Sequence, residues 1–211
     1  MRVDYPWIGD AGGLDAVVLA NGVFPTAAEP LALLRHAPFV CACDGASRWY
    51  PEADVIVGDG DSVPEALRQR LIRVSEQEDN DLTKATRYCL SLGHRRIGYL
   101  GATGGREDHT IGNLSLIVRY YSEMDVAPLL ATDYGWFVVA QGERCFSSFA
   151  GQQVSIFNIS CSDLASARLR WQAYPYSQLW QGTLNEAVAA SFTLSGDGIY
   201  VVYRTYLAKG D

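Results

Sequence analysis

Through the first 133 residues, short β-branched runs alternate with helical patterns, and beyond Asp133 that rhythm stops. "AVVLA", "FVCAC", "DVIVG" and "RIGYLGA" read as strands, while the stretches around Glu29–His36, "EALRQRLIRV", "DLTKATRYCLSLG" and "DHTIGNLSLIVRYYSEM" read as helices. In the last of these Ile111, Leu114, Ile117 and Val118 recur at helical spacing, giving an apolar face suited to a sheet. Repeated alternation of this kind predicts an α/β domain with a mostly parallel sheet over residues 1–133. After it come "GWFVVAQGE", "RCFSSFAGQQVSIFNIS", "ARLRWQAY" and "EAVAASFTLSGDGIYVVYRTYL", aromatic and β-branched segments broken by turn residues. They predict a second, all-β sandwich domain over 134–211, with "SGDG" near Ser195 as a hairpin turn.

Composition narrows the partners. A hydrophobic content of 48% supports a buried core, and a net charge of −7 disfavours nucleic acid or an anionic membrane as partner. The amino terminus lacks the basic flank and apolar stretch of a signal peptide, and no run approaches the roughly 20 apolar residues of a membrane span, so the expectation is a cytoplasmic protein. Five cysteines with no CxxC pair predict reduced, mostly buried thiols.

The chemistry concentrates in the loops after the first-half strands. In "VIVGDGDS" Asp59 and Asp61 follow an apolar run, two residues apart, so in extended backbone they point the same way and can converge on one hard cation such as Mg²⁺. Gly60 between them permits close approach of a phosphate or unusual backbone angles, and Ser62 is a further oxygen. A solvated turn with helix-capping Asp and Ser fits the same residues. "CACDGAS" repeats the arrangement one strand earlier with Asp44 and Gly45, where a cap beside a tight turn is the plainer reading. Asp79 and Asp81 fall at the start of the next helix, where the helix dipole favours acids.

"YLGATGGREDHTIGN" has the opposite character. It is a glycine-rich turn from strand to helix, with Arg106 inside, and exposed N–H groups there can hold phosphate oxygens while Arg106 clamps them. The GxxxxGK[ST] pattern is absent, and a purely structural turn is also possible. His109 suits a ligand contact or a bond to Asp108, and Asn113 lies one turn further on the same face. Trp171, Tyr174, Tyr176 and Trp180 can cover a flat cation or fill the β core.

Taken in order, "CDGAS", "GDGDS", "EDNDLTKA" and "GATGGREDHTIGN" resemble the motif series of thiamine pyrophosphokinases, and "QVSIFNIS" and "GTLNEA" continue the likeness more weakly. The resemblance implies a Rossmann-like catalytic domain that binds ATP and Mg²⁺, a thiamine-binding β-sandwich, a homodimer, and transfer of pyrophosphate from ATP to the thiamine hydroxyl with release of AMP. By carry-over Asp59, Asp61 and Asp81 would hold the metal and transferring phosphates, with Asp44 in support and Arg106 stabilising charge. Thr103, Gly104, Gly105, Asp108, His109 and Asn113 match the nucleotide segment, and Asn80, Trp171, Asn185 and Glu186 would contact substrate. The chain departs from the pattern at Gly60, where an aromatic is usual, at Asn80, where threonine is, and at Leu184, where serine is common. Two other readings start from the same residues. "VIVGDGDSV" also resembles the first motif of haloacid-dehalogenase phosphatases, which makes Asp59 a nucleophile and Asp61 an acid–base. A regulatory module would bind nucleotide without turnover.

Overall fold

The computed structural model describes residues 3–8, 13–76 and 78–208. The chain divides into two compact units, Gly13–Asp133 and Tyr134–Asp211, the second taking in the amino-terminal segment.

In the first unit the order is β1 (Ala16–Leu19), α1 (Ala28–His36), β2 (Val40–Cys43), β3 (Val55–Gly58), β4 (Leu71–Arg73), α2 (Asp81–Ser91), β5 (Arg96–Leu100), α3 (Glu107–Glu123) and β6 (Ala127–Ala131). All six strands pair in parallel, in the spatial order β4-β3-β2-β1-β5-β6. β1, β2 and β3 are buried at every position, which is why they read as continuous apolar runs rather than alternating ones. α2 begins at the N-cap Asn80, whose side chain accepts from the Thr83 N–H. In α3 the buried face is carried by Ile117 and Tyr120, whereas Ile111 is 69% exposed, so the expected apolar stripe is shorter at its amino end.

One segment departs from its predicted type. "EALRQRLIRV" forms a short 3₁₀ turn, Glu65–Arg70, and then the edge strand β4, because Leu71 and Ile72 pair with Ile56 and Val57 of β3. Strand pairing outweighs the local helical spacing there.

The second unit is antiparallel. β7 (Gly135–Ser147), β8 (Gln152–Asn158), β9 (Leu164–Ala167), β10 (Asn185–Glu186) and β11 (Ser191–Ala208) build it, in the order β10-β8-β11-β7, with β9 also on β11. The "SGDG" stretch is not a hairpin. β11 runs through it with a bulge between Gly196 and Ile199, pairing β9 before the bulge and β8 after it. The Asp197 carboxylate accepts from the Ser162 and Asp163 N–H groups, so its turn chemistry serves the 160–163 loop instead. In this unit's core Arg204 lies over Trp136, 4.6 Å from the ring centroid, and donates to the carbonyls of Tyr5 and Ser147, tying down residues 3–8. Burial lowers its guanidinium to about 9, so it stays charged at neutral pH. All five cysteines are free and buried, as expected.

Candidate active site

The parallel sheet extends from β1 to β2, β3 and β4 on one side and to β5 and β6 on the other, so β1 and β5 flank the point where strand order reverses. Ligands of such sheets sit outside the carboxyl ends of the strands at that point. A cavity of about 380 Å³ opens there, lined by residues 20–22, Cys43, residues 80–82, Gly101, Ala102, Thr103, Gly105, Arg106, His109, Thr110 and Asn113. The volume lies in the range of small-molecule sites.

The loops after β1 and β5 meet closely. Gly22 N–H donates to the Gly101 carbonyl at 2.8 Å and Val23 N–H to that of Thr103 at 3.1 Å. A side chain at Gly22 would place Cβ 2.4 Å from the Gly101 oxygen, so only glycine fits. Asn113 donates its amide to the Ala102 carbonyl at 2.7 Å, pinning the glycine-rich loop to α3. Arg106 is the N-cap residue of α3. Its guanidinium is engaged by Asp108 at 2.6 and 3.1 Å, and the same carboxylate accepts the His109 N–H. That bond to Asp108 raises the arginine and lowers the aspartate, yet both groups are exposed, so an incoming anion can take over the fork at little cost. Gly104 and Asp108 lie outside the lining.

Asp81 lines the same cavity. Burial raises its carboxyl above the usual range, Lys84 pulls it down, and Asp44 and Asp59 push it up again. The three acids are therefore within electrostatic reach of one another, although Asp44, Asp59, Asp61, Gly45 and Ser62 do not line the cavity. Asp44 is buried. Its Oδ2 accepts the Ser62 N–H at 3.1 Å, while its Oδ1, also buried, has no hydrogen-bond partner. An orphaned buried carboxylate oxygen beside other acids is what a hard cation would complete. Among the described residues no three His, Cys, Asp or Glu side chains stand together as a ready-made metal cluster. Asp61 is exposed, its N–H turned back to Asp59 Oδ1 at 3.1 Å. Gly60 has φ +88°, the left-handed region that favours glycine, which accounts for its presence where a side chain was expected.

Sequence reading missed three contributors: Asn21 and Gly22, in the loop after β1, and Lys84. Lys84 is buried, with its ammonium 3.5 Å from Asp81 Oδ1. The (i, i+3) spacing was visible, but a lysine at that spacing ordinarily points to solvent.

In the second unit a smaller cavity of about 230 Å³ is lined by Trp171, Tyr174, Tyr176, Leu184 and Asn185, among others. Trp171, Tyr174 and Trp180 are exposed and Tyr176 is buried. Asn185 spends its amide internally, accepting the Trp171 N–H at 3.2 Å and donating to the Trp171 carbonyl at 2.7 Å. Glu186 pairs with Arg170 at 3.1 Å. Leu184 holds φ +62°, a strained angle for a branched side chain beside a cavity.

An α/β domain with its cavity at the sheet's switch point, followed by an antiparallel β unit, is the class of protein that this fold defines. Comparison with known proteins makes it particular. The model for "Thiamin pyrophosphokinase, catalytic domain" matches residues 31–127, and that for "Thiamin pyrophosphokinase, substrate-binding domain" matches residues 135–203. A thiamine pyrophosphokinase of Oryza sativa subsp. japonica is 32% identical over 54% of this chain and 55% of its own length. One from Caenorhabditis elegans is 28% identical over 41% of this chain and 38% of its own length. The match thus spans about half or less of these relatives. The crystal structure of the Bacillus subtilis thiamine pyrophosphokinase superposes with a TM-score of 0.72 at 18% identity, covering 90% of this chain and 98% of that one, a likeness of fold. The chain belongs to the thiamin pyrophosphokinase family. The phosphatase and regulatory-module readings are not favoured. Among the described residues no helix is long and apolar enough to cross a membrane.

Proposed function

We infer that this protein transfers a pyrophosphoryl group from ATP to the hydroxyethyl oxygen of thiamine, giving thiamine diphosphate and AMP. The observation that carries the reading is one cavity joining Asp81 to the glycine-rich start of α3, in a chain of this family. Thr103, Gly105, Arg106, His109 and Asn113 line the nucleotide side, where the N–H groups and the arginine fork suit phosphate oxygens. Gly104, with φ +80°, and Asp108, bonded to Arg106 and the His109 N–H, shape that loop.

Asp44, Asp59, Asp61 and Asp81 are the residues that would hold Mg²⁺. Bound there, the ion neutralises charge on the phosphates. Asp81 orients the alcohol and accepts its proton. The alcohol oxygen bonds to the β-phosphorus as the bond from that phosphorus to the α–β bridging oxygen breaks, and the bridging oxygen departs with AMP. Arg106, released from Asp108, stabilises the charge on the transferring group. Trp171, Asn185 and Glu186 serve the thiamine side, with Asn185 acting by holding Trp171 in place. The working form is a cytoplasmic homodimer.

The test is Asp81→Asn. The variant is expected to fold as the wild type does while turnover falls more than about 100-fold, the scale of a lost catalytic base. Turnover within a factor of two of the wild type would remove Asp81 from the chemistry.

A further inference from the structure

Asn80 is the place where this chain departs from its family's usual threonine, and the hydrogen bonds behind it fix which way its amide faces. The Thr83 N–H, which can only donate, lies 3.0 Å from one amide atom, so that atom is the oxygen. The Thr83 hydroxyl donates to the same oxygen at 2.9 Å. With its proton so used, that hydroxyl accepts from Tyr120, whose OH stands 2.7 Å away on α3. Thr83 is 1% exposed and Tyr120 is fully buried, so no water competes for these bonds. The Asn80 oxygen thus carries two bonds, and the NH₂ group is turned the other way. Asn80 is exposed and lines the cavity, and its NH₂ has no partner among the described residues. Arg106 and Gly105 line the same cavity.

We propose that Asn80 is a nucleotide-contact residue that donates from Nδ2 to a phosphate oxygen, and that Thr83 and Tyr120 are positioning residues that hold its amide in that sense. The proposal rests on the ATP-binding reading above. A phosphate oxygen is the acceptor because the remaining donors on the cavity wall, the loop N–H groups and Arg106, suit anionic oxygens. Threonine at this position would cap α2 equally well but could not extend two N–H donors.

Asn80→Asp is one test variant. It is isosteric, keeps the oxygen that caps α2, and replaces the donor with an acceptor, but it adds a negative charge, so the neutral Asn80→Thr, which caps α2 and lacks the NH₂, is carried through the same titrations. ATP and adenosine are titrated into wild type, Asn80→Asp and Tyr120→Phe by calorimetry, with thermal melts alongside. Asn80→Thr is expected to weaken ATP binding at least about tenfold, the effect of losing a hydrogen bond to a charged acceptor, and Asn80→Asp weakens it further because its carboxylate also repels the phosphates. Adenosine binding and the melting temperature stay near wild type. Tyr120→Phe is expected to weaken ATP severalfold and to raise KM for ATP more than it lowers kcat. Equal ATP affinity in wild type and Asn80→Thr, whatever Asn80→Asp shows, or an equal loss for adenosine, overturns the phosphate contact. A Tyr120→Phe protein that melts lower but binds ATP normally overturns the positioning role. A wild-type protein that binds no ATP overturns the nucleotide reading and this contact together.

Discussion

Replacing Gly22 with alanine tests the cavity wall at its tightest point. The added methyl carbon would lie 2.4 Å from the Gly101 oxygen and 2.7 Å from the Thr103 oxygen. Both obstacles are backbone, so neither can rotate aside, and relief requires the β1 loop to withdraw from the β5 loop by about 1 Å to reach ordinary contact. That movement breaks the hydrogen bonds from Gly22 and Val23 to those same two carbonyls. At about 0.5–1.5 kcal/mol for each bond, the loss is about 1–3 kcal/mol. For a chain of this size that lowers the melting temperature by roughly 2–4 °C per kcal/mol. Because Gly22, Gly101 and Thr103 all line the cavity, ATP affinity should fall at the same time. Differential scanning calorimetry and ATP titration on one preparation read both effects. A Gly22→Ala protein that melts within about 1 °C of wild type and binds ATP equally well would show that the loops do not meet as described.

Three further outcomes follow from the same structure. Lys84 holds the Asp81 carboxyl down, so Lys84→Met should raise it further. If Asp81 acts ionised, activity is lost as pH falls through its value, and the acid limb of kcat/KM moves to higher pH in Lys84→Met; an unmoved limb contradicts the pairing. Asp44→Ala removes the orphaned oxygen and should raise the Mg²⁺ concentration needed for half-maximal turnover about tenfold or more, as for loss of one hard ligand or its support; an unchanged requirement excludes Asp44 from the metal's surroundings. Trp136 is fully buried against Trp7, Tyr206 and Arg204, and Trp136→Ala should cost about 3–5 kcal/mol in urea denaturation. A loss below about 1 kcal/mol would contradict the packing of the β unit.

What could be read in the sequence was whatever is set locally. Apolar runs fully buried in the parallel sheet stand out as strands, and the start of α2 announces itself through Asp79 and Asp81, although its N-cap, Asn80, does not. The glycine-rich turn before α3 was legible for the same reason. What escaped depends on contacts distant in sequence. Nothing in "ANGVF" marks Gly22, because the carbonyls that forbid a side chain there come from Gly101 and Thr103, some 80 residues on. β4 was hidden because a free edge of β3, and not its own spacing, decided the conformation of Leu71 and Ile72. In "SGDG" the turn residues are real, but β11 has partners on both sides of the bulge and continues through it. The acidic series was legible as a set of carboxylates, while its division was not. Asp81 faces the cavity, Asp44 is buried with one oxygen unsatisfied, and Asp61 stays exposed, a distinction that only burial and hydrogen bonding make. Gly60 changes meaning in the same way, since its positive φ makes it a requirement of the turn between two acids.

The most direct test of the account is a product analysis. Purified protein is incubated with ATP, Mg²⁺ and thiamine, and nucleotides and thiamine esters are separated by chromatography. AMP and thiamine diphosphate are expected in equal amounts, dependent on thiamine and abolished by chelation of the metal. Formation of ADP with thiamine monophosphate, or of free phosphate without any thiamine ester, would contradict it.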